Sequence, residues 1–111
     1  MRVILDECLP EVFASDLSDH QVVTVREAGF SGFRNGELLK RIDAAGFQAF
    51  ITIDKNLPNE QRLVTLSFGV IVLRAKSNRL THLRPLKRKI LAALKALKPG
   101  QVAVIARAGA R

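Results

Sequence analysis

Apolar positions along the chain fall into two alternating patterns. Short aliphatic and β-branched runs at Val3–Leu5, Gln21–Val25, Phe47–Ile53, Val70–Leu73 and Gln101–Ile105 predict strands. Between them the apolar spacing changes to three and four residues, the period of a helix with one buried face. Leu9, Val12, Phe13 and Leu17 form the first such stripe, with Pro10 suited to a first helical turn. Leu38, Leu39, Ile42 and Ala45 form the second, with Asn35 as its N-cap and Gly46 as its stop. Pro58–Leu66 predicts a short helix. Leu80, Leu83, Leu86, Ile90, Leu94 and Leu97 predict the longest one, ended by Pro99-Gly100.

Strands that alternate with helices need crossovers, and crossovers make a parallel sheet covered on both faces. The expectation is therefore one α/β domain of Rossmann-like, three-layer type over residues 1–106. It has a mainly parallel sheet of about five strands, with residues 107–111 as a tail. No internal repeat or low-complexity tract interrupts the pattern.

Composition changes the picture in two places. Residues 1–60 hold all ten Asp/Glu against six Lys/Arg, whereas residues 61–111 hold twelve Lys/Arg and no acid. A carboxylate site must come from the first half. The second half, and above all the polar face of the long helix with Arg84, Lys87, Arg88, Lys89, Lys95 and Lys98, offers a positive surface to nucleic acid or an acidic partner, or simply a solvated face. The single cysteine, Cys8, permits no internal disulfide, and no segment is apolar for long enough to span a membrane, so the expected compartment is the cytoplasm.

In an open parallel sheet, ligands bind beyond the carboxyl ends of the strands. Asp6 and Glu7 follow the first strand there, Arg26 the second, Asp54 and Lys55 the third and Arg74 the fourth, and Glu37 sits in the first turn of the helix that feeds the third. Asp6, Glu37 and Asp54 are thus candidates to hold Mg²⁺ or Mn²⁺, hard ions that take one or two carboxylates and keep waters. Each acid also admits a structural role: Asp6 or Glu7 as a helix cap, Glu37 as a partner of its helix dipole, Asp54 as a turn residue. His20 and His82 stand alone without metal-ligand spacing, and the glycines at 29, 32 and 36 lack the spacing of a phosphate-binding loop.

Four stretches carry a family resemblance. ILDECLP is similar to the LLDEnLP opening of the small bacterial PIN-like proteins associated with toxin–antitoxin pairs. VVTVREAGFSGFRNGELL resembles their second strand, glycine loop and acidic helix, FITIDKNLPNEQ their third strand with its Thr-x-Asp motif, and GVIVLRAKSNRL their fourth strand and following cap. The resemblance implies a metal-dependent ribonuclease with Asp6, Glu37 and Asp54 as catalytic metal ligands and Thr52 as the hydroxyl residue of the motif. It also implies a cognate antitoxin and a homodimer. Arg26, Lys55, Arg74, Lys87 and Arg88 are the candidates for RNA contact. Two departures stand out: Asn35 occupies a position where many relatives carry an acid, and beyond Asp54 the nearest candidates for a further ligand are Asn56 and Glu60. They keep a second function open, a binding module with a degraded metal site that acts on RNA or a partner protein through its basic half. A response-regulator receiver domain also places acids after its first and third strands. It needs a Ser or Thr after the fourth strand and a Lys after the fifth, where this chain has Arg74-Ala75 and Ala106-Arg107.

Overall fold

Five runs of mostly buried or half-buried residues pair in parallel, and their alternation splits the interior into two cores. The computed structural model describes residues 1–17 and 19–107. The strands are β1 (Arg2–Leu5), β2 (Gln21–Thr24), β3 (Ala49–Thr52), β4 (Gly69–Arg74) and β5 (Val102–Ala106). They form one sheet in the order β2-β1-β3-β4-β5. Val3, Leu5, Ala49, Ile51, Ile71 and Leu73 face one core, while Ile4, Phe50, Val70 and Val72 face the other. Because both faces are covered, β3 and β4 read as continuous apolar runs rather than alternating ones.

The first core is closed by Phe13 of α1 (Phe13–Asp16), Leu83 of α4 (Leu80–Leu83), and Ile90 and Leu94 of α5 (Lys87–Ala96). The second is closed by Leu38, Leu39 and Ile42 of α2 (Asn35–Ala44) and Leu57 of α3 (Leu57–Glu60). The result is the three-layer α/β domain expected from the sequence. No helix among the described residues is long and apolar enough to cross a membrane.

Several boundaries differ from expectation. The long helix is broken: α4 ends at Leu83, a 3-10 turn spans Arg84–Leu86, and α5 begins at Lys87. Pro85 is the cause, since it lacks the N–H an unbroken helix needs and fits only a first turn. The stripe from Leu9 is mostly turns, and only Phe13–Asp16 is helical. The helix expected over Pro58–Leu66 stops at Glu60, because Gln61 is extended. Asn35 is not the cap of α2 but its first residue, and Arg34 holds the cap position. Gly46, with φ +77°, ends α2 as expected.

Crossover geometry leaves one region bare. The connections β1–α1–β2, β2–α2–β3 and β3–α3–β4 share one hand, because the chain changes face when it changes direction across the sheet. The last one, β4–α4–α5–β5, advances in the same direction as β3–α3–β4 but packs on the face of α1, so its hand is opposite. Such a reversal runs against the strong preference for one hand in parallel crossovers. Among the described residues it leaves the outer part of the α2/α3 face, over β5, without a helix.

Candidate functional site

The strand order reverses at the β1/β3 pair, where β1 leads outward to β2 and the chain returns past β1 to β3. Carboxyl ends at such a switch point form the crevice where ligands bind in this architecture. The ladder runs one residue past β1, with Asp6 N–H donating to Ile51 O at 2.9 Å, and this fixes the Asp6 backbone at the rim. Thr52, the last residue of β3, is wholly buried beside it.

Thr52 joins the two acids. Its Oγ1 donates to Asp6 Oδ2 at 2.6 Å and accepts the Asp54 N–H at 3.0 Å. Asp6 Oδ1 also accepts the Glu7 N–H at 2.9 Å. Asp54 Oδ1 accepts the Asn56 N–H at 3.0 Å, the bond of an Asx turn, and Asp54 Oδ2 accepts from Asn35 Nδ2 at 3.3 Å. Each of the four carboxylate oxygens therefore uses one lone pair on a protein donor and keeps another. Carboxylate oxygens with lone pairs to spare are the donor type that hard divalent cations such as Mg²⁺ or Mn²⁺ take.

Glu37 does not join the pair. It is half exposed on α2 and binds Arg41 of the next turn at 3.2 Å, while Arg41 itself lies 3.9 Å above the Phe33 ring. The first turn of α2 contributes Asn35 to Asp54 instead. Among the described residues, no three His, Cys, Asp or Glu side chains gather into a group that could hold a metal ion. Glu7 is exposed beside Asp6, Asn56 contributes its backbone N–H as the cap residue of α3, and Glu60 is exposed at the far end of that helix.

Cys8 packs against the same hydroxyl, with Sγ 3.9 Å from Thr52 Oγ1. Burial, aided by the Asp6 charge, pushes its thiol up to about 11. Asn78, in the loop after β4, donates to Cys8 O at 2.9 Å and ties that loop to the one after β1.

Basic residues border the acids on one side. A cavity of about 760 Å³ is lined by Asp54, Lys55, Asn56, Arg74 and Lys76, with apolar walls from Ile53, Leu73, Ala75 and Ala106. Lys55 and Arg74, both at carboxyl ends of strands, line it together. Lys76 was not singled out from the sequence, although its place two residues beyond Arg74 in the same strand-end loop was signal enough. Arg26 lies elsewhere, paired with Glu11 at 3.5 Å beside α1. Lys87 and Arg88 are exposed at the start of α5.

The basic half is less free of partners than its sequence implies. Arg84 Nε binds Asp16 of α1 at 2.9 Å, and Lys89 Nζ donates to Ala106 O at 2.6 Å. Folding brings acids and carbonyls of distant segments to both. His82 is used locally, with Nδ1 2.6 Å from Ser77 Oγ at the entrance to α4.

Comparison of the chain with protein-family models, with curated proteins and with solved structures gives no match.

Proposed function

We propose that this chain is a PIN-like ribonuclease that depends on Mg²⁺ or Mn²⁺, with Asp6 and Asp54 as its metal-holding carboxylates. The observation that carries the reading is the Asp6–Thr52–Asp54 chain of hydrogen bonds at the switch point, beside a cavity edged by Lys55, Arg74 and Lys76. The family resemblance of the four motifs supports it, and also supports the further proposal of a cognate antitoxin and a homodimer; a cytoplasmic location is proposed from the single cysteine and the lack of a long apolar segment.

The roles follow from the chemistry of each group. Thr52 fixes the carboxylate of Asp6 and the backbone of Asp54 in one register, so the two acids are held rather than left to repel one another apart. Asn35 and the Asn56 N–H hold the carboxylate of Asp54. Lys55, Arg74 and Lys76 attract the phosphates of the strand, which no pair of acids would draw in alone. Asp6 and Asp54 would hold the divalent ion, which when bound would supply Lewis-acid polarisation and a more acidic water. Glu37, two residues beyond Asn35 on α2, joins the site in this reading when it leaves Arg41.

The second reading, a binding module with a degraded site, is favoured by one observation: Glu37 is engaged by Arg41, which leaves two carboxylates rather than three. Incubation of purified protein with single-stranded RNA decides between them. The nuclease cuts with Mn²⁺ or Mg²⁺, stops in EDTA, and is abolished by Asp6→Asn in a variant that melts as the wild type does. Salt-dependent RNA binding without metal-dependent cleavage favours the module, and cleavage that survives both EDTA and Asp6→Asn refutes the metal site.

A further inference from the structure

We infer that the bare face of β5 is a seat for an unpaired nucleobase, next to the acid pair. The inference rests on the ribonuclease reading for its ligand class. The last crossover packs α5 on the face of α1, and α3 is four residues long, so neither helix covers the Val104 side of the sheet. Val104, in mid-strand, is 55% exposed beside its register partner Val72. β5 is an edge strand, so this apolar side chain stands at the border of the sheet where a ligand can reach it.

The bare area is a concavity rather than a plain surface. A cavity of about 290 Å³ has Pro58 and Val104 as its apolar floor beside the buried Val72, and is lined also by Lys55, Asn56, Asn59 and Arg74. Lys55, Asn56 and Arg74 line both this cavity and the larger one that holds Asp54. The two are neighbours across Arg74, with charge at the border and apolar surface beyond.

A single RNA strand has the matching alternation. A phosphate at Lys55 and Arg74 puts the next base over the apolar floor, within reach of the two Asn amides. Backbone groups add to this. Because the Val70 N–H donates to Gln101 O, residues 101, 103 and 105 point toward β4, while Val104 turns its N–H and C=O outward.

The test is anisotropy of a labelled short oligouridylate and of the same backbone with abasic residues, both in EDTA to prevent cleavage. Val104→Phe adds a ring to an exposed position and is expected to tighten oligouridylate binding about fivefold or more, in the range of base–aromatic stacking. Binding of the abasic strand should change by less than roughly twofold. Val104→Asn, which the exposed site also tolerates, should lower the preference for the base-bearing strand. Arg74→Ala should weaken both strands alike. Equal effects of Val104→Phe on the two strands, or no effect on either, overturn the seat, and so does absence of binding to both. Wild-type cleavage in Mn²⁺ is scored separately. Cleavage without a base-selective effect leaves the nuclease and removes the seat. A base-selective effect without cleavage keeps the seat on a non-catalytic RNA binder.

Discussion

Replacing Thr52 with valine removes one hydroxyl and leaves the volume of a wholly buried side chain nearly unchanged. Two bonds go with it: the 2.6 Å donation to Asp6 Oδ2 and the 3.0 Å acceptance from the Asp54 N–H. A hydrogen bond to a charged group contributes about 1.5–3 kcal/mol, and a backbone N–H left without a partner costs roughly 1–3 kcal/mol more when water cannot reach it. Asp54 is only half buried, so water recovers part of the second amount. The expected loss is about 2–4 kcal/mol, a large share of the ~5–15 kcal/mol that holds a domain together. At roughly 4 °C per kcal/mol for a domain of this size, Tm should fall by about 8–16 °C. Urea unfolding followed by circular dichroism measures the loss directly. Thr52→Ser, which restores the hydroxyl and loses a methyl, should recover more than half of it. A cycle with Asp6→Ala isolates the first bond, with a coupling of about 1–2 kcal/mol expected. A Thr52→Val protein within about 0.5 kcal/mol of wild type, or a coupling near zero, refutes the view that Thr52 clamps the acids.

Three further outcomes are expected. Glu37→Gln should change stability by less than about 0.5 kcal/mol, because its pair with Arg41 is half exposed, yet it should reduce Mn²⁺-dependent RNA cleavage; unchanged cleavage removes Glu37 from the site. Gly100→Ala should destabilise by roughly 1–3 kcal/mol in urea, since φ is +77° and a Cβ would meet Val64 O at 2.6 Å; an unaffected midpoint contradicts the close approach. For Cys8, a thiol raised from 9.0 to about 11 holds little thiolate at pH 8, so iodoacetamide should modify the EDTA-treated protein more slowly than a free cysteine, and the rate should still climb above pH 9. A plateau by pH 9 would contradict the raised value.

The parallel three-layer architecture was legible along the chain because it depends on local periodicity. Val70–Leu73 is apolar without a break, which only a strand covered on both faces requires, and the stripe Leu38, Leu39, Ile42 needs only helical spacing. The placement of Asp6 and Asp54 at the carboxyl edge of the sheet was legible for the same reason, since Asp6 follows β1 directly and Asp54 lies two residues beyond β3. Pro85 announced the break in the last helical segment, but its leucine stripe continues through the break and conceals it. Other features rest on segments far apart in sequence. Whether Glu37 meets Asp54 or Arg41 is a competition between a tertiary contact and a neighbour one turn away, and the neighbour wins here. Asp16 reaches Arg84 across 68 residues, and no count of charges in either half reveals that pair. The exposure of Val104 depends on which face the last crossover takes. VAVIA has the same hydrophobic pattern with a helix over it or without one, so that outcome belongs to the packing of α5 against α1.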